Sequence, residues 1–213
     1  MVVNKILDEI FSRWSNVAVL RALNKFRLGI SGREVARVAG ITAKNCFVAL
    51  NDLEDLGIVN RIRGGREHLF SLNRNHFIVC EGIIPLFEVE SKFLDTILSE
   101  IKKVFKDKVV SAYLFGSVAR KEEDIQSDMD ICLIYNNQHN KKIIESTILD
   151  LKVKIQKKFF VNIVPFLITE KNFIQRANNN KPPVNEIIKD GRLIFGKPIE
   201  YILNDKKNKN SKC

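Results

Sequence analysis

The sequence predicts an α+β protein of two domains: a helical N-terminal module closed by a β-hairpin, then an α/β domain with a small mixed sheet. Three observations carry that expectation. Two capped helical stretches flank a tight turn at Gly40-Ile41. An alternating run folds back on itself at Gly64-Gly65. Further on, a β-branched and aromatic run ends in Gly116-Ser117, and the next strand opens with Asp128-Met129-Asp130.

Composition sets the bounds. Apolar residues make up 45% of the 213 residues and charged residues 28%, an ordinary balance with enough apolar mass for a core. No apolar run approaches the ~20 residues of a membrane span, so no membrane partner is expected. The first ten residues are amphipathic and include Asp8 and Glu9, unlike a signal peptide. Cys46, Cys80, Cys132 and Cys213 are scattered with no CxxC pair, which argues against zinc or a disulfide framework and for a reducing cytoplasm. The net charge of +10 is uneven: +5 over residues 1–80, +2 over 81–204 and +3 over 205–213. The excess points to a polyanionic partner for the first module. The expected division is 1–80, a connecting helix at 81–108, the α/β domain at 109–200, and a basic, disordered tail at 201–213.

The N-terminal module begins with Ser15–Phe26, where Val17, Leu20 and Leu23 recur at helical spacing. Ser31-Gly-Arg-Glu34 is a capping box, in which the serine hydroxyl and the glutamate satisfy each other's free backbone donors. Gly40 ends that helix and Thr42 caps the next. Cys46, Ala49, Leu50 and Leu53 form its buried stripe, and Gly57 stops it. Two helices joined by a tight turn are the helix-turn-helix signature. Ile58–Arg63 and Arg66–Leu72 then flank Gly64-Gly65 as a two-residue hairpin loop. In that register Arg63 faces Arg66 and Arg61 faces His68, all on one face, either as a solvated surface or against an anion.

Ser31–Leu72 resembles the winged helix-turn-helix of small prokaryotic transcription regulators. The resemblance implies that the N-terminal end of the second helix enters a DNA major groove. Thr42, Lys44 and Asn45 are then the candidate readers, and Arg61, Arg63 and Arg66 the candidate phosphate or minor-groove contacts. Such modules also dock proteins. The connector that follows, Ile84 to Phe105, carries Phe87, Phe93, Leu94, Ile97, Ile101 and Phe105 on an amphipathic helix, with no flexible spacer.

The chemistry concentrates between residues 109 and 135. Gly116 allows close backbone approach to a ligand. Ser117 opens a helix, where free N–H groups favour phosphate. Asp128 and Asp130 are two apart on a strand, so both carboxylates share a face and call for a cation. A divalent ion shared with substrate phosphates is the usual solution.

Leu114–Leu133 resembles the signature of the polymerase-beta superfamily, within it the minimal nucleotidyltransferases, and the wider likeness runs from about residue 85 to residue 196. The resemblance implies that Gly116, Ser117 and Arg120 hold a nucleoside triphosphate, with ATP the expected substrate, while Asp128 and Asp130 ligate Mg²⁺ or Mn²⁺ and are catalytic. In the family a third carboxylate stands on a later strand. Here Asn162 occupies that place in Phe160-Val-Asn-Ile-Val-Pro165, with Glu170 an alternative acid nearby in sequence. An amide has neither charge nor basicity.

The expectation is therefore a DNA-binding nucleotidyltransferase that moves a nucleoside monophosphate from an NTP to a protein or RNA acceptor. The protein acceptor could be a toxin, with the chain as antitoxin. The alternative is a transcription regulator whose degenerate domain binds only nucleotide or a partner protein. The partners implied are double-stranded DNA, nucleotide, the acceptor and a second copy in a homodimer.

Overall fold

The structure is a computed structural model describing residues 3–65, 67–136 and 141–204. Arg66, His139, and the tail residues from 205 through Cys213 lie outside the described residues, so the expectations for them are not addressed. The chain divides into two compact units, one up to Phe93 and one from Leu94. Among the described residues, no helix is long and apolar enough to cross a membrane.

The first unit holds α1 (Ile6–Ile10), α2 (Trp14–Asn24), β1 (Ile30–Ser31), α3 (Gly32–Ala39), α4 (Ala43–Asp55), β2 (Val59–Gly64) and β3 (Glu67–Leu72). A π-helical turn, Val79–Ile83, leads into α5 (Ile84–Phe105), which begins in this unit and ends in the next. The helix signals act as read. Ser31 Oγ accepts from the Glu34 N–H at 3.3 Å, and Thr42 Oγ1 accepts from the Asn45 N–H at 3.3 Å. Gly40, at φ +68°, closes α3. Cys46, Ala49, Leu50 and Leu53 are fully buried, and each large side chain so removed from water contributes ~1.5–3 kcal/mol. The capping box is only half made: the Glu34 carboxylate pairs with Arg37 one turn on instead of returning to Ser31.

The three strands pair antiparallel in the order β1-β3-β2. The hairpin register departs from expectation. Gly64 pairs with Glu67, Arg63 faces His68, and Arg61 faces Phe70. Two forces favour this register. It sets Val59 opposite Leu72 and Ile62 opposite Leu69, apolar against apolar. Gly65, not Gly64, takes the left-handed conformation, at φ +65°.

The second unit contains β4 (Ser111–Phe115), α6 (Gly116–Arg120), β5 (Met129–Tyr135), α7 (Lys141–Phe159), β6 (Ile163–Thr169), α8 (Glu170–Asn178), α9 (Val184–Asp190), β7 (Arg192–Gly196) and α10 (Ile199–Asn204). Its sheet runs β6-β5-β4-β7 and is mixed: β5 and β6 are parallel, the other pairs antiparallel. The parallel pair requires a crossover, supplied by α7. Alternate strand residues feed two cores. Ala112, Leu114, Ile131 and Leu133 pack with Ile101 and Phe105 of α5 and with Leu151 and Ile155 of α7. Tyr113, Phe115, Cys132 and Ile134 pack with Phe173 of α8, Ile187 of α9 and Ile202 of α10. The central strands are thus covered on both faces, which explains their unbroken apolar runs.

Candidate active site

Even-numbered residues of β5 face the α8–α9–α10 side of the sheet, and Asp130 is one of them. Asp128 lies two residues before it, just ahead of the strand, on the same face. The loop that delivers Asp128 is braced internally. Asp124 Oδ1 accepts from the Gln126 N–H and from Ser127 Oγ, both at 2.9 Å. The Ser127 hydroxyl and these backbone donors hold the Asp124 carboxyl below its ordinary value.

Gly116 sits at the turn from β4 into α6 with φ +75°. The residue before it, Phe115, pairs with Asp130. A Cβ at Gly116 would collide with Asp130 Oδ2 and lie 3.2 Å from its carboxyl carbon. The glycine therefore makes room for the Asp130 carboxylate itself as well as for the turn. Ser117 follows in α6, a helix of one turn whose leading N–H groups have no intrahelical partner.

Asn162 stands immediately before β6. Its carbonyl accepts from the Met129 N–H at 2.9 Å, and its side-chain Nδ2 donates to Asp128 Oδ1 at 2.8 Å. The position expected for a third acid is thus within hydrogen-bonding distance of the first. Glu170 does not replace it. It begins α8 at the opposite end of β6, with Oε1 3.9 Å from Lys197 Nζ. At ~3.3 Å per strand residue, Glu170 is roughly 25 Å from Asn162.

The electrostatics are acidic. The Asp130 carboxyl is held above its ordinary value, first by burial, then by the charges of Asp128 and Glu186, with Arg120 opposing. Glu186 lies on α9, which packs beside α6. No pattern in the sequence tied it to Asp130, because it sits in a helix far along the chain. Arg120 is exposed and donates from Nε to Glu122 Oε2 at 2.8 Å; Glu122 first, then Asp190 and Glu186, keep its guanidinium charged. Among the described residues, no group of three or more His, Cys, Asp or Glu side chains is arranged to hold a metal. Two hard carboxylates on one face, one raised by burial and then by the other's charge, suit a cation that takes its remaining ligands from phosphates and water.

In the first unit, Lys44 and Asn45 are exposed at the start of α4, while the Thr42 hydroxyl is used as a cap. Arg61 turns onto its own fold: it bonds Asn51, pairs with Glu54 at 3.0 Å and lies 5.1 Å over the Phe70 ring. Arg63 is exposed, with no ion-pair partner among the described residues.

Residues 99–200 match the family described as Polymerase beta, Nucleotidyltransferase. The second unit carries a nucleotidyltransferase domain of this type. A candidate protein adenylyltransferase from Methanocaldococcus jannaschii is 27% identical over 106 residues, covering 49% of this chain and 71% of that protein. Two solved structures show weak likeness. A toxin-antitoxin with AMP-PNP has a TM-score of 0.35 at 16% identity, covering 54% of this chain and 86% of that one. A toxin-antitoxin MntA-HpeT mutant has 0.34 at 14%, with the same coverage. The nucleotidyltransferase domain's match includes Gly116, Ser117, Asp128, Asp130 and Asn162.

Proposed function

We propose that the chain is a DNA-binding nucleotidyltransferase that moves a nucleoside monophosphate, AMP from ATP first among them, to an acceptor hydroxyl on a partner protein or an RNA end. The main support is the placement of Asp130 against Gly116, with Asp128 two residues before it on the same face. The relative described as a candidate protein adenylyltransferase favours adenylyl transfer to protein. A divalent cation, Mg²⁺ or Mn²⁺, would neutralise phosphate charge, and Asp128 and Asp130 are the residues that would hold it. The free N–H groups at Gly116 and Ser117 are the cradle for the triphosphate. Arg120 reaches phosphate by exchanging its Glu122 partner. The acceptor oxygen bonds to the α-phosphorus, the bond to the bridging oxygen breaks in line, and pyrophosphate leaves with that electron pair. Asn162 takes no proton, so the hydroxyl proton passes to water.

The first unit is proposed as a winged helix-turn-helix that reads duplex DNA through Lys44 and Asn45, with Arg63 and Arg66 on phosphate. The free thiols of Cys46, Cys80 and Cys132 accord with a cytoplasmic location.

A second reading has a specific observation in its favour. Asn162 donates to Asp128 where a third acid would complete the site, which suits a regulator that binds nucleotide without turnover. Thermal unfolding with ATP and MgCl₂ tests the shared core of both readings. Saturation at one hundred times the dissociation constant should add ~2.7 kcal/mol. Asp128→Asn with Asp130→Asn should abolish the metal-dependent part; stabilisation that survives places the nucleotide elsewhere. Transfer of α-labelled ATP to added protein or RNA then separates enzyme from sensor.

A further inference from the structure

The long crossover helix α7 buries Ile144, Leu151 and Ile155 against the sheet. Its outer face is unusual. Leu149 is 65% exposed and Val153 69%, and Phe160, just past the helix, is 90% exposed. Steps of four and three residues connect Leu149, Val153 and Gln156 into one stripe on α7, and Phe160 follows just beyond the helix end. Phe160 is also held at φ +58°, a conformation that bulky side chains rarely adopt. Beside the stripe lies a cleft of about 650 Å³ lined by Lys152, Val153, Gln156, Lys157 and Asn162. Asn162 is the residue whose amide bonds Asp128, so the cleft opens one hydrogen bond from the carboxylate pair.

Charge selects the occupant. Lys141 pairs with Glu145 at 3.4 Å, and Lys154 and Lys158 pair with Glu100 at 2.7 and 3.8 Å. Lys152 and Lys157, the two that line the cleft, have no ion-pair partner among the described residues. An apolar stripe with a charged rim is the anatomy of a protein interface. Single-stranded nucleic acid instead calls for a continuous basic track with several stacking aromatics, and this face has one. Addition of a strand to β6 is disfavoured by Pro165 within that edge strand.

We propose that this α7 face and its cleft are the acceptor-docking surface, and that the occupant is an acidic, amphipathic segment of a partner protein bearing the hydroxyl to be modified. The proposal rests on the nucleotidyl-transfer reading. Leu149, Val153 and Phe160 take the apolar side of the segment, Lys152 and Lys157 take its carboxylates, and the cleft leads the hydroxyl to Asp128.

The test uses the full chain and a synthetic helical peptide of Glu and Leu at amphipathic spacing with one tyrosine. Controls are the same peptide with Lys for Glu, and a single-stranded RNA oligonucleotide. Binding is read by fluorescence anisotropy without nucleotide, so it does not depend on turnover. The acidic peptide should bind more tightly than both controls. Lys152→Glu with Lys157→Glu should weaken it at least about tenfold, and Val153→Asp with Phe160→Asp likewise. Val153, Lys157 and Phe160 are exposed and Lys152 is half-buried, and circular dichroism would verify folding. Asp128→Asn with Asp130→Asn should leave peptide binding intact while abolishing the metal-dependent part of nucleotide binding. Absence of peptide binding, equal binding by the charge-reversed protein, or tighter RNA binding lost in the same variants would each overturn the proposal. Peptide docking without label transfer to its tyrosine, or to any other acceptor, would overturn nucleotidyl transfer instead and leave the docking surface standing.

Discussion

The Asn162 amide and the Asp128 carboxylate are joined by a 2.8 Å hydrogen bond, with Asn162 as donor. A carboxylate at 162 would face Asp128 across that distance with the wrong sign. Asn162→Asp should therefore lower thermal stability without metal and steepen its recovery with MgCl₂, because three close acids repel until a cation enters. The same change should raise label transfer to a competent acceptor, an effect of roughly 10²–10⁴-fold where a base takes the hydroxyl proton. Brisk wild-type transfer that Asn162→Asp leaves unchanged or lowers would show that the amide does not limit the site.

Gly116 and Asp130 make a second coupled pair. Gly116→Ala places a methyl group against the Asp130 carboxylate at a backbone angle that alanine disfavours. The expected cost is about 1–3 kcal/mol, together with loss of metal-dependent stabilisation. The collision can be separated from the backbone strain. In an Asp130→Ala background the same substitution should cost less, since the carboxylate is gone. Equal costs in the two backgrounds, measured by urea titration, would mean that strain alone accounts for the effect.

The helices and hairpin of the first unit and the shared face of Asp128 and Asp130 in the candidate site were legible because their signals are local. Ser31 and Thr42 cap helices through the residue three positions on, and Asp128 and Asp130 share a face through strand alternation. What stayed hidden depended on tertiary packing. Gly64-Gly65 offers two registers, and the pairing of Val59 with Leu72 and Ile62 with Leu69, with Gly65 rather than Gly64 left-handed, selects between them. Arg61 reads as a free wing cation until α4 brings Asn51 and Glu54 to it. Glu186 reaches Asp130 only because α9 packs beside α6, and Glu170 is removed from the site only by the length of β6.

Arg61 and Arg63 should consequently behave differently. Arg61→Ala loses the Glu54 pair and the Phe70 contact, together worth about 1–2 kcal/mol of stability. Arg63→Ala should leave stability unchanged. If the hairpin contacts DNA phosphate, Arg63→Ala should flatten the log–log salt dependence of duplex binding by ~0.9. An unchanged slope would remove Arg63 from the interface. A stability loss larger for Arg63→Ala than for Arg61→Ala would contradict the packing described.

Glu100 gives the fold a pH-dependent brace. It is a largely buried acid on α5, within 2.7 Å of Lys154, 3.5 Å of Lys103 and 3.8 Å of Lys158, so it ties α5 to α7. The Lys154 hydrogen bond first, with the Lys103 and Lys154 charges, holds its carboxyl below the ordinary glutamate value against a smaller effect of burial. A carboxyl depressed in the folded state binds its proton more readily when unfolded. Its stabilisation is therefore complete above the unfolded value and fades as pH falls through the lowered folded one. Glu100→Gln should destabilise the protein at neutral pH, and the gap to wild type should close as the buffer is acidified through the carboxylate range. High salt should narrow the gap only partly, because the acid is shielded from solvent while its lysines are exposed. Chemical denaturation of both proteins across that range checks the sign: a gap that widens toward acid would mean that burial, not the lysines, dominates at Glu100.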